Sequence, residues 1–176
     1  GVETYAMLTM RFDNARWAGV PFYVRSGKRL KERLTEVVVQ FKEGRDNLFG
    51  GGQRERMSAN QLIIRIQPHE SVTLRVAMKA PGRAVRVRDM DMSCFYAASH
   101  EGPPPEAYER LLLDGMLGVS TLYTREDMVE RAWELVTPVL DAWSTTGAEP
   151  NYAAGTWGPA AASRLLERHG HVWNGT

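Results

Sequence analysis

The spacing of apolar residues changes period once along this chain, and that change restricts its fold more than any other feature. In the front part, apolar residues recur at every second position. Within Thr35–Lys42, Val37, Val39 and Phe41 alternate with Glu36, Gln40 and Lys42, as in a half-buried strand. Val38 breaks the alternation and implies partial cover on the second face. In Gln61–Gln67, Leu62, Ile64 and Ile66 oppose Gln61, Arg65 and Gln67. In Ser71–Lys79, Val72, Leu74, Val76 and Met78 oppose Thr73, Arg75 and Lys79. Pro68–Glu70 is a short link, so these two strands read as a hairpin. Val85–Met92 is a further strand candidate, and Val2–Phe12 reads as another at the start. Links this short favour antiparallel pairing over crossovers.

After Pro103-Pro104-Pro105 the spacing becomes helical. Tyr108, Leu111, Leu112 and Met116 fall on one stripe, with Glu106 in the first turn where the helix dipole favours an acid. A second helix is expected from Thr124, with Asp127 three residues on as an approximate capping box. Its stripe is Val129, Ala132, Trp133, Val136, Leu140 and Trp143, and Pro138 should kink it or end its regular part. A third helix, Ala160–Arg168, should end near Gly170. Strands followed by helices imply an α+β chain: a largely antiparallel β-sheet with helices packed on one face. At 176 residues the length fits one domain over 1–176. The chain opens on Gly1 inside a strand pattern, so it reads as a piece that starts within an element.

Composition excludes several classes. The net charge is +1, so no whole-molecule field draws the chain to nucleic acid or a membrane. No apolar run reaches the ~18 residues a span needs, and no signal-like segment opens the chain. One cysteine, Cys94, rules out an internal disulfide framework and fits a reducing compartment. Glu43–Asn60, with Gly50-Gly51-Gly52, reads as a long loop. The glycine triplet lacks the strand-to-helix context and the following Lys-Ser/Thr of a phosphate cradle.

The near-neutral total hides one local concentration of charge. In Arg16–Arg33, Pro21–Arg25 reads as a strand and Ser26-Gly27 as a tight turn. Arg25, Lys28, Arg29, Lys31 and Arg33 then oppose a single acid, Glu32. This is an anion-site candidate, since lysine meets phosphate as a compact charge and arginine as a planar fork. On composition alone a solvated turn is the favoured reading.

The same stretch carries W-x-GVPF at Trp17–Phe22 and R-x-GK at Arg25–Lys28. It resembles the C-terminal part of the glucose-6-phosphate dehydrogenase family. Further blocks follow in family order: TEVVVQFK (Thr35–Lys42), NQLIIRIQP (Asn60–Pro68), PEAYERLLLDGMLG (Pro105–Gly118), AWELVTPVLDAW (Ala132–Trp143) and YAAGTWGP (Tyr152–Pro159). The resemblance spans about Thr4 to Trp173.

It implies an enzyme that oxidises D-glucose 6-phosphate to 6-phospho-D-glucono-1,5-lactone with NADP, in the cytoplasm, at the entry to the pentose phosphate pathway. This segment would be the substrate-binding and dimerisation part of a two-domain protein. Lys28 and Arg33 occupy the positions that hold the substrate phosphate. Gln67 matches a glutamine implicated in substrate binding, and as a strand neighbour of Arg65 two residues away it should share that residue's polar face. The sheet would form a homodimer or homotetramer contact. NADP would be held mainly by an N-terminal Rossmann domain, whose G-x-x-G-D-L-type turn is absent from this sequence. The family's catalytic histidine would also lie upstream. The four histidines here, His69, His100, His169 and His171, match no catalytic motif. Some members bind a second, structural NADP. Leu34, Val38 and Trp157 stand at such positions while Arg25 and Arg65 still match, so no structural NADP is expected. The competing reading is a non-catalytic phosphosugar-binding or dimerisation module, whose first strand would be an open edge.

Other features have plainer readings. Trp17, Trp133, Trp143, Trp157 and Trp173 are read as core or interface aromatics rather than a stacking platform. Asp89 and Asp91 share a strand face but lack a third ligand, so no metal is expected. His169-Gly170-His171 reads as a solvated tail, Cys94 as a small buried residue or spectator thiol, and the proline run as a helix lead-in.

Overall fold

The computed structural model describes residues 3–43, 58–83, 86–96, 106–146 and 151–175, and for Ala107 the backbone only. The glycine triplet, His100 and the proline run lie outside the described residues. The chain divides into two compact units, 1–31 with 102–176, and 32–101. Antiparallel strands followed by three helices make it an α+β chain.

In the first unit, β1 (Tyr5–Met10) pairs antiparallel with β2 (Phe22–Gly27), from Tyr5 opposite Gly27 to Met10 opposite Phe22. The connection turns on Asn14, whose Oδ1 accepts the N–H groups of Arg16 at 3.1 Å and Trp17 at 2.9 Å. Phe12 and Trp17 both meet Phe22 edge-on, at 5.0 and 5.2 Å between ring centres. Ser26 and Gly27 are not a turn. They pair with Ala6 and Tyr5, and the Lys28 N–H extends the ladder to the Thr4 carbonyl at 2.8 Å. The chain bends one residue later, where Arg29 takes a left-handed conformation with φ of 52°.

Three helices complete this unit: α1 (Ala107–Met116), α2 (Glu126–Thr146) and α3 (Ala160–Glu167). Helix α2 starts two residues later than the sequence suggests. Asp127 does not close a capping box with Thr124, because both its oxygens are taken by the Arg125 guanidinium at 3.0 and 2.7 Å. The helix also runs through Pro138 to Thr146 rather than ending there. Helix α3 matches its expected span within a residue, and Gly170 follows it with φ of 74°. In α1, Asp114 is 2% exposed and its charge is met one turn back by Arg110 at 3.0 Å. The apolar stripe of α1 is largely uncovered, with Met116 79% exposed, and in α2 Trp133 is exposed as well. No described helix is long and apolar enough to cross a membrane.

In the second unit, β3 (Thr35–Gln40), β4 (Gln61–Gln67), β5 (Ser71–Lys79) and β6 (Val87–Phe95) form one antiparallel sheet in sequence order. The β4–β5 hairpin is as expected, and β6 begins two residues later and ends three later than Val85–Met92. The register gives the sheet two unlike faces. Across one run Val37, Ile64, Val72 and Cys94, then Val39, Leu62, Leu74 and Met92. Across the other run Gln40, Gln61, Arg75 and Asp91. Arg75 grips Asp91 with two bonds at 2.7 and 2.8 Å and reaches Gln61 at 3.4 Å. The Arg75 guanidinium therefore holds the Asp91 carboxyl below its ordinary range. Asp91 is thereby committed to an ion pair with Arg75. No cluster of three metal-binding side chains occurs among the described residues.

The apolar face is the more exposed of the two. Val37 is 48% exposed, Phe41 47% and Met92 48%, whereas Val38, on the polar face beside buried Ile63, is better covered. Cys94 on the apolar face is exposed too, contrary to the buried reading. Periodicity reports which face is apolar and says nothing about what covers it.

One close approach in the first unit dictates two glycines. Tyr5 lies so near Gly27 and Gly158 that a Cβ would fall 2.7 Å from its ring at Gly27 and 2.3 Å at Gly158. Gly158 also has φ of 103°, which side chains rarely adopt. Gly158→Ala should therefore lower the unfolding free energy by about 2–4 kcal/mol, from overpacking and backbone strain together, as read by urea denaturation.

Candidate anion-binding site

The basic segment is built on the end of the β1–β2 ladder. Lys28 is exposed, yet its main chain is fixed on both sides. Its N–H donates to Thr4 O, and its carbonyl lies 2.9 Å from the Tyr152 hydroxyl. The Arg29 carbonyl accepts the Gly155 N–H at 2.9 Å, and the Lys31 N–H donates to Thr156 O at 3.0 Å. The segment 152–156 thus runs beside 28–31 and holds it by main-chain bonds. The Tyr152 ring stacks obliquely on Tyr5, 5.5 Å away.

Arg25 turns its charge onto aromatic faces. Its guanidinium carbon lies 4.2 Å from the Trp173 ring centre and 4.9 Å from that of Trp157, and Lys31 approaches Trp157 at 6.0 Å. Trp157 and Trp173, both half-buried, are therefore also partners of a cation. His169 and His171 are placed likewise against the Tyr23 ring, at 6.1 and 5.5 Å.

Lys28 belongs to the first unit, and Arg33 and Gln67 to the second. Arg33 is exposed two residues before β3. Gln67 ends β4 opposite Thr35, so both mark one end of the β3–β4 ladder. The register slips there: Thr35 opposes Gln67, but Glu36 opposes Arg65, leaving Ile66 as an extra residue. Adjacent residues of β3 point to opposite faces, so Gln67 does not share the face on which Arg65 meets Glu36. The simple alternation rule fails at this bulge. Arg65 lies 3.8 Å from the Glu36 carboxylate.

A family model described as "Glucose-6-phosphate dehydrogenase, C-terminal domain" matches residues 1–174. This chain belongs to the glucose-6-phosphate dehydrogenase family. It is 43% identical over 171 residues to glucose-6-phosphate 1-dehydrogenase 2 of Mycobacterium tuberculosis, covering 97% of this chain and 33% of that protein. It is 45% identical over 171 residues to glucose-6-phosphate 1-dehydrogenase of Aggregatibacter actinomycetemcomitans, covering 97% and 34%. Among solved structures, it is similar to the Mycobacterium avium glucose-6-phosphate 1-dehydrogenase, with a TM-score of 0.79 at 32% identity, covering 99% of this chain and 36% of that one. It is also similar to a glucose-6-phosphate dehydrogenase in complex with its substrate glucose-6-phosphate, with a TM-score of 0.83 at 32% identity, covering 97% and 35%. The chain spans about a third of the length of these relatives.

The sequence by itself gives no sign that Tyr152 supports Lys28. The two residues are 124 positions apart, and the bond ends on a main-chain carbonyl. Only the shared family blocks connect them.

Tyr5 supplies a test of this packing. Its hydroxyl is buried without a hydrogen-bond partner among the described residues, and burial raises its pKa above 10.0, against a lowering by Arg25. A raised folded-state pKa contributes stability that is complete below the unfolded pKa of 10.0 and lost as pH rises through the folded value. Tyr5→Phe should then match or exceed the parent in stability at pH 7 and lose less of it above pH 10, as measured by denaturation at each pH.

Proposed function

We propose that this chain is the C-terminal, substrate-binding part of an enzyme that oxidises D-glucose 6-phosphate to 6-phospho-D-glucono-1,5-lactone with NADP in the cytoplasm. Lys28 and Arg33 hold the phosphate dianion and Gln67 contributes to the sugar site. The observation that carries this reading is Lys28: an exposed ammonium on a main chain bonded at both its N–H and its carbonyl. Membership of the family, and the likeness to a relative solved with glucose-6-phosphate, support the choice of substrate. Gripping the phosphate positions the distant C1 for hydride transfer, since binding energy from a non-reacting group orients the reacting one.

NADP for that transfer belongs to a Rossmann domain N-terminal to this segment in the two-domain reading. A second nucleotide does not suit the residues here. Leu34, Val38 and Trp157 offer no charge, Arg25 lies over two indoles, and Arg65 faces Glu36. The exposed apolar face of the β3–β6 sheet supports a homodimer or homotetramer contact through the sheet. Sedimentation should show a dimer or larger at micromolar concentration, and a monomer would overturn that assignment. A purely non-catalytic module is the less favoured reading, since the family model and the curated relatives at 43% and 45% identity carry the name of the dehydrogenase.

Glucose-6-phosphate-dependent reduction of NADP by the full-length enzyme tests the site. Lys28→Ala should raise KM for glucose 6-phosphate about ten- to hundred-fold, the usual loss for a charge-assisted bond, and Arg33→Ala should act in the same direction. An unchanged KM in both variants would refute the phosphate role.

A further inference from the structure

We propose that Tyr152 is a positioning residue for Lys28, an inference that rests on Lys28 being a phosphate ligand. The Tyr152 hydroxyl lies 2.9 Å from the Lys28 carbonyl and 3.0 Å from the Thr4 carbonyl. A phenol has one proton, so it is shared between two acceptors at the ends of neighbouring strands. Thr4 O also receives the Lys28 N–H at 2.8 Å. The hydroxyl therefore meets the Lys28 carbonyl directly and also the Thr4 carbonyl that holds the Lys28 N–H.

The brace has work to do because the next residue is strained. Arg29 is not glycine, yet it sits in the left-handed region with φ of 52°. Such a conformation persists only where surrounding contacts impose it. The contacts here are Tyr152 on the Lys28 carbonyl and the Gly155 N–H on the Arg29 carbonyl. If the first is lost, the turn can relax and the Lys28 ammonium is spread over a larger volume. A pre-aimed lysine loses less freedom on gripping an anion than a loose one. Tyr152 itself is held by its stack on Tyr5, which does not need the hydroxyl. Tyr152→Phe thus removes the brace and leaves the ring in place.

The experiment is a double-mutant cycle in the full-length enzyme with Y152F, K28A and the combination. The readouts are KM for glucose 6-phosphate, kcat, and the inhibition constant of inorganic phosphate competing with it. Tyr152→Phe should raise KM and the phosphate inhibition constant about five-fold, with kcat and KM for NADP changed less than about two-fold, consistent with the loss of one hydrogen bond. Added to Lys28→Ala it should change neither constant further. A K28A defect with no Y152F defect overturns the positioning role alone. The same holds if Y152F costs as much on the K28A background, or lowers kcat and raises both KM values alike as a general loosening would. A normal KM in K28A overturns the phosphate role on which the inference stands.

Discussion

The contact on which the first unit depends is the seam between residues 27–31 and 152–158. It joins chain segments more than a hundred positions apart, so its loop closure is among the most costly in the fold. Two main-chain bonds, Gly155 to Arg29 and Lys31 to Thr156, carry it together with the Tyr152 hydroxyl on the Lys28 carbonyl. Tyr5 then fills the space beside them so tightly that glycine is required at 27 and at 158. The W-x-GVPF, R-x-GK and Y-x-x-G-x-W-G-P blocks thus resemble separate motifs in sequence and form one structure in space.

This seam also separates the roles of neighbouring cations. Arg25 is spread over two indole faces, where a guanidinium keeps its charge but presents its plane to carbon. Lys28, three residues on, has its main chain fixed and its side chain exposed. A charge cluster that composition marks as one patch is therefore divided by packing into a structural cation and an available one. The split follows from strand geometry: Arg25 lies within the β1–β2 ladder, whereas Lys28 lies just beyond its end.

Much of this is legible in the sequence, and the exceptions have definite causes. Strands β3, β4 and β5 follow from period alone, because each residue's face depends on its own segment. The end of β4 departs from that rule because an extra residue, Ile66, resets the face at Gln67, and alternation carries no warning of a bulge. The start of α2 shifts because Asp127 prefers the guanidinium two residues before it to a backbone N–H. Ser26-Gly27 resembles a turn because glycine and serine favour turns. Here the glycine serves the Tyr5 ring instead. The lysine and arginine of the candidate site are visible as charge. The tyrosine behind the lysine is not, since it acts through a carbonyl that every residue possesses.

The exposure pattern bears on how the two units are stabilised. Among the described residues the buried apolar side chains are Ile63, Ala162 and Leu166, a small core for a chain of 176 residues. The sheet instead presents Val37, Val39, Phe41 and Met92 at its surface, and the helices present Tyr108, Leu112, Met116 and Trp133. Burial at about 25 cal/mol per Å² would make covering either surface strongly favourable. Apolar periodicity selected for a buried face is hard to explain if that face stays wet, so both surfaces call for cover beyond what the described residues provide. The relatives are about three times as long and have further chain from which such cover can come. Lys28 of the candidate site is then held by its own seam, in a unit whose remaining stability is shared with whatever covers its exposed apolar surface.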